Sequence, residues 1–69
     1  MITEIGIVAG EIWRYLDEHG ESEFNTICSS IDKPRDTILM GLGWLAREGH
    51  VVLRQHVNSY KVILRKQEN

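Results

Sequence analysis

The 69-residue sequence contains one cysteine, one proline, one phenylalanine and no long apolar run. A lone Cys28 excludes an internal disulfide and a cysteine-rich metal site, and reads as a small buried hydrophobe. No stretch reaches the length of a membrane span, and the opening Met1-Ile2-Thr3-Glu4 lacks the basic start of a signal peptide. A membrane is therefore not an expected partner, and the cytoplasm is the expected location. Glycine-rich phosphate-binding motifs are also missing, because the six glycines fall inside predicted helices or at their ends. His19, His50 and His56 lack metal-ligand spacing, and Glu21 and Glu23 sit in a connection with no visible pocket. Without a nucleophile–base pair, a metal cluster or paired carboxylates, the sequence predicts no enzyme, no cofactor and no metal.

What is present describes an ordinary soluble chain, 42% hydrophobic and 26% charged. A single domain over residues 1–69 is expected. A domain of this size buries only about 60% of its unfolded surface, and oligomerisation is one usual supplement to its stability. The net charge of −2 is unevenly distributed. Residues 1–32 carry seven acids against Arg14, whereas residues 33–69 carry seven bases against Asp36, Glu48 and Glu68. Such a split points to nucleic acid, to an acidic partner, or to complementary faces of a self-associating protein.

The period of the apolar residues predicts a first helix over about residues 4–19, with Thr3 as its cap and Gly20 as its stop. Ile5, Val8, Ala9, Ile12 and Leu16 share its inward face, and Trp13 and Tyr15 lie at the margins. Gly6 and Gly10 stand four residues apart beside Trp13. Each glycine costs a helix roughly 1 kcal/mol, so this stripe predicts a close neighbour, either within the chain or in a second subunit. A second helix over about residues 23–31 is expected after an Ser22 cap, with Phe24, Ile27, Cys28 and Ile31 as its apolar stripe. The short break at Asp32-Lys33 then forces the next helix to cross it steeply.

That third helix is expected over about residues 34–48, opening at Pro34 and closing at Gly49. Ile38, Leu39, Leu42, Leu45 and Ala46 are its expected core side. Asp36, Thr37, Met40, Trp44, Arg47 and Glu48 are expected to face outward. The apolar period then changes to two, which predicts strands over about residues 50–54 and 60–65. Val51, Leu53, Tyr60, Val62 and Leu64 should face the helices. The residues between the strands, Gln55 to Ser59, read as a turn in which Asn58 can take a positive backbone angle. Lys66 to Asn69 reads as a loose tail. The order predicts an α+β winged helix-turn-helix: three helices followed by a two-stranded antiparallel hairpin, the wing.

Two stretches, Ile5-Gly6-Ile7-Val8-Ala9-Gly10-Glu11-Ile12-Trp13 and Leu42-Gly43-Trp44-Leu45-Ala46-Arg47-Glu48-Gly49, carry a resemblance to a known family. With the hairpin pattern they resemble a winged helix-turn-helix family of short bacterial and archaeal proteins catalogued as a domain of unknown function. The resemblance implies the fold. It implies a function only by analogy, because the architecture hosts both DNA-binding and protein-binding members, and it carries over no active-site residues.

In this fold the third helix enters the major groove of double-stranded DNA and the wing meets phosphates. Arg35 and Thr37 are the candidate base readers, and Arg54, Lys61 and Arg65 the candidate backbone contacts. The centre of the outward face is nevertheless Met40 and Trp44, flanked by Asp36 and Glu48. Phosphates repel the acids, and neither Met nor Trp makes the bidentate base contacts that give specificity. A homodimer or another protein partner explains the same face, with Gly6, Gly10, Met40, Trp44 and Arg47 as the candidate interface. Nucleic-acid binding, by analogy with the fold, is thus the expected function, and protein association or homodimerisation is the alternative. The position of Trp44, in the core or at an interface, divides them.

Overall fold

The computed structural model describes residues 2–65. The chain runs α1 (Ile2–His19), β1 (Ser22–Glu23), α2 (Phe24–Ser30), α3 (Arg35–Arg47), β2 (Val51–His56) and β3 (Ser59–Leu64). The expected tail, Lys66 to Asn69, lies outside the described residues. No described helix is long and apolar enough to cross a membrane.

The helices form where apolar residues recur at helical spacing, and each ends on an identifiable stop. In α1, Val8, Ile12 and Leu16 are buried together with Ala9. Thr3 lies inside this helix, not at its cap, since the helical backbone already includes Ile2. Gly20 closes α1 with a positive φ of 84°, its N–H donating to the Leu16 carbonyl at 2.8 Å. Ser22 is likewise not a cap: its hydroxyl donates back to the Gly20 carbonyl at 3.0 Å. The N-cap position of α2 falls on Glu23, and its C-cap Ile31 is extended.

In α3, Pro34 is the N-cap and its carbonyl accepts the Ile38 N–H at 3.0 Å. At the other end, Gly49 takes a φ of 79°, where a Cβ is disfavoured. Its N–H donates to the Ala46 carbonyl at 3.1 Å, and the His50 N–H to the Leu45 carbonyl at 2.9 Å. This double closure satisfies carbonyls that the helix leaves unpaired and turns the chain into β2.

The sheet has three antiparallel strands in the order β1-β3-β2, not two. Ser22 pairs with Val62 and Glu23 with Lys61, so the connection after α1 is stitched to the far edge of β3. The hairpin itself is longer than its apolar pattern: His56 pairs with Ser59, leaving a turn of only Val57 and Asn58. The positive angle belongs to Val57, at φ 56°, and not to Asn58.

The core gathers Val8, Ile12, Leu16, Phe24, Ile27, Ile38, Leu42, Leu45, Val51 and Val62, with Cys28 packed at its edge. Leu39, expected in this core, is exposed, because the buried stripe of α3 runs through Ile38, Gly41, Leu42 and Leu45. Leu53 and Tyr60 share a sheet face with Val51 and Val62 but are also exposed. Alternation assigned their face correctly, whereas helical cover ends before it reaches them.

The helices α1 and α3 approach closely at Gly41. A Cβ there would lie 3.2 Å from the Ala9 amide nitrogen and 3.2 Å from Val8 Cγ1. Gly6 and Gly10 have no such neighbour within 4 Å and face away from the core. The tight crossing expected of a helix glycine therefore exists within the chain at a different glycine.

Candidate functional site

The residues expected to contact DNA stand in three separate settings. Arg35 opens α3, where its guanidinium donates to Asn25 Oδ1 at 3.0 Å and lies 4.8 Å from the centre of the Phe24 ring. It braces α3 against α2, and both its planar face and one of its donors are engaged. Thr37 is half-buried and lines a small open groove of about 120 Å³ with Glu4, Ile7, Val8, Lys33 and Pro34. It therefore looks towards α1.

Arg54 and Lys61 pair directly across the hairpin, and the alternation of β3 places Arg65 on the same outer face beyond Ile63. The row continues through Glu23 of β1, which is paired with Lys61. Lys61 Nζ lies 3.4 Å from Glu21, and His56 Nε2 lies 3.9 Å from Glu23. Part of the acidic half of the chain is thus spent on the basic half, within the fold. The Lys61–Glu21 pair contributes little stability but cancels field at the wing. Arg54 and Arg65 have no ion pair among the described residues.

The outward side of α3 is different in character. Met40 is 39% exposed, Trp44 51% and Leu39 54%, and none of them joins the buried core. Asp36, Gly43 and Arg47 are exposed on the same side. A Cβ on Gly43 would meet nothing within 4 Å. Leu39 and Gly43 were missed by the sequence reading, although Gly43 carried a signal: a helix glycine with no steric demand inside the chain. Gly6 and Gly10 form a second exposed strip on α1 beside the 42% exposed Trp13.

A further polar contact links α1 to α2. His19 stacks on Tyr15 with ring centroids 4.3 Å apart, and the Tyr15 hydroxyl accepts from Ser30 at 3.3 Å. Among the described residues, no three His, Cys, Asp or Glu side chains stand close enough to hold a metal ion.

No curated protein and no solved structure matches the chain. The family described as "Winged helix-turn-helix domain (DUF2582)" matches residues 1–65, nearly the whole chain, and the helix order and wing described above are those of that fold. The chain belongs to this DUF2582 family of winged helix-turn-helix domains.

Proposed function

We propose that this chain is a non-enzymatic winged-helix module that works by protein association through the outward face of α3, in place of reading base edges. The observation that carries the reading is the composition of that face. Where a recognition helix presents donors and acceptors to the major groove, α3 presents Leu39, Met40 and Trp44. Methionine and tryptophan are enriched in interface cores, and covering the exposed half of Trp44 contributes on the order of 2–3 kcal/mol of transfer free energy before ordering costs. The candidate base readers support the reading from the other side. Arg35 holds Asn25 and Phe24, and Thr37 is turned to α1.

A nucleic-acid role, the analogy offered by the fold, draws on Arg54 and Arg65 at the wing. Phosphate contact of that kind is sequence-independent and weakens steeply with salt. Fluorescence anisotropy with mixed-sequence duplexes at low salt separates the two readings. Protein association predicts a flat titration. Salt-sensitive binding that falls when Arg54 or Arg65 is replaced by alanine would overturn it in favour of the duplex.

A further inference from the structure

The outward row of α3 is its own complement when reversed. Asp36, Met40, Gly43 and Arg47 follow one another at intervals of four, three and four residues, so they lie in one line along the helix. That line lies opposite the buried Ile38, Leu42 and Leu45. Read in the other direction, it places a base where the acid stood and a glycine where the methionine stood. Both pairs, Asp36 with Arg47 and Met40 with Gly43, share one midpoint, between Gly41 and Leu42.

From this symmetry, and resting on the reading of α3 as an association surface, we infer that the partner is a second copy of this chain, its α3 packed antiparallel about a two-fold axis at that midpoint. The axis sets Asp36 of each copy against Arg47 of the other, one pair at each end of a contact about 16 Å long. Between them, Met40 of each copy meets the bare backbone of Gly43 in the other. A Cβ on Gly43 would meet nothing within 4 Å in its own chain, so the bare position is open to an approaching backbone. Trp44 and its symmetry mate then line one flank of the seam, staggered by about 7.5 Å along the axis, and the two Leu39 side chains line the other flank. A parallel pairing would set Asp36 beside Asp36 and Arg47 beside Arg47, and like charges at such range repel. The apolar flanks and complementary ends together exclude water from both tryptophans.

Sedimentation equilibrium from micromolar to millimolar protein tests the arrangement. Wild type is expected to dimerise. Asp36→Arg and Arg47→Asp each turn both end pairs into repulsions and should weaken self-association by at least about tenfold. An equimolar mixture of the two variants should restore the dimer, because in the mixed pair every acid again meets a base. Gly43→Gln guards against a folding artefact: it favours the isolated helix, its Cβ meets nothing within 4 Å in its own chain, and it should abolish the dimer with the circular dichroism spectrum retained. A wild type that is monomeric throughout overturns the inference, while the duplex titration still judges the broader reading by itself. A dimer lost on Trp44→Arg but not restored by the charge mixture overturns the antiparallel register and keeps the face. A dimer indifferent to all these changes overturns both, and places the contact elsewhere, with the Gly6 and Gly10 strip as the next surface to substitute.

Discussion

Gly41 of α3 rests on the backbone of Ala9 in α1, so closely that a Cβ on Gly41 would stand 3.2 Å from the Ala9 amide nitrogen. Backbone in the middle of a helix cannot step aside, and Val8 Cγ1 and Ile12 Cδ1 close the site at 3.2 and 3.4 Å. Gly41→Ala should therefore lose more through overpacking than it gains in helix propensity, lowering stability by about 1 kcal/mol. Urea denaturation measures this, and a stabilised variant would show that the two helices separate at little cost.

Gly6→Ala and Gly10→Ala should have the opposite sign. Both glycines lie in α1 with no atom within 4 Å of an added Cβ, so each alanine adds only helix propensity. The expected gain is about 1 kcal/mol per substitution, or several degrees in melting temperature for a domain of this size. A loss of self-association in the same variants would assign this strip to an interface.

Val57 holds a φ of 56° in the two-residue turn of the wing, a region that β-branched residues rarely adopt. Val57→Gly removes the conflict between Cβ and backbone and leaves Gly-Asn, a sequence suited to such turns. After allowing for the greater chain entropy of glycine, the net gain is about 0.5 kcal/mol. Thermal melts of the variant should shift upward, and cross-strand amide signals near His56 and Ser59 should sharpen.

Arg35→Ala removes both the bond to Asn25 and the contact with the Phe24 ring. A stability loss of about 1 kcal/mol is expected, with no change in any duplex titration. Arg35→Lys should recover only part of the loss, since an ammonium cannot both lie flat on the ring and reach the amide. A variant that melts like wild type but alters duplex binding would restore Arg35 as a reader.

The helices and the wing were legible because their period survives in the residues themselves: Val8, Ile12 and Leu16 in one stripe, Ile38, Leu42 and Leu45 in another, Val51 and Val62 at strand spacing. Features without a period were not. Two residues, Ser22 and Glu23, cannot show an alternation, so β1 becomes visible only once Val62 and Lys61 stand beside them. Gln55, His56 and Ser59 look like loop residues because their side chains are polar, yet cross-strand backbone bonds continue through them. Leu39 was misplaced because projection gives an angle but not the width of the surface that will cover it. The bracing role of Arg35 depends on Asn25, ten residues away across a turn, a relation that no helical wheel contains.

The core ends partway along the hairpin: Val51 and Val62 are buried, Leu53 is already exposed on the edge strand opposite Val62, and Tyr60 is exposed beyond it. Solvent thus reaches both faces of the outer half of the wing, whose cohesion comes mainly from cross-strand hydrogen bonds. Opening there exposes little apolar surface, so it needs only a fraction of the free energy of global unfolding. Deuterium should enter the cross-strand hydrogen-bonded amides of His56 and Ser59 long before those of Val52 and Ile63, and the strand ends would fray as a flap while the three helices stay closed.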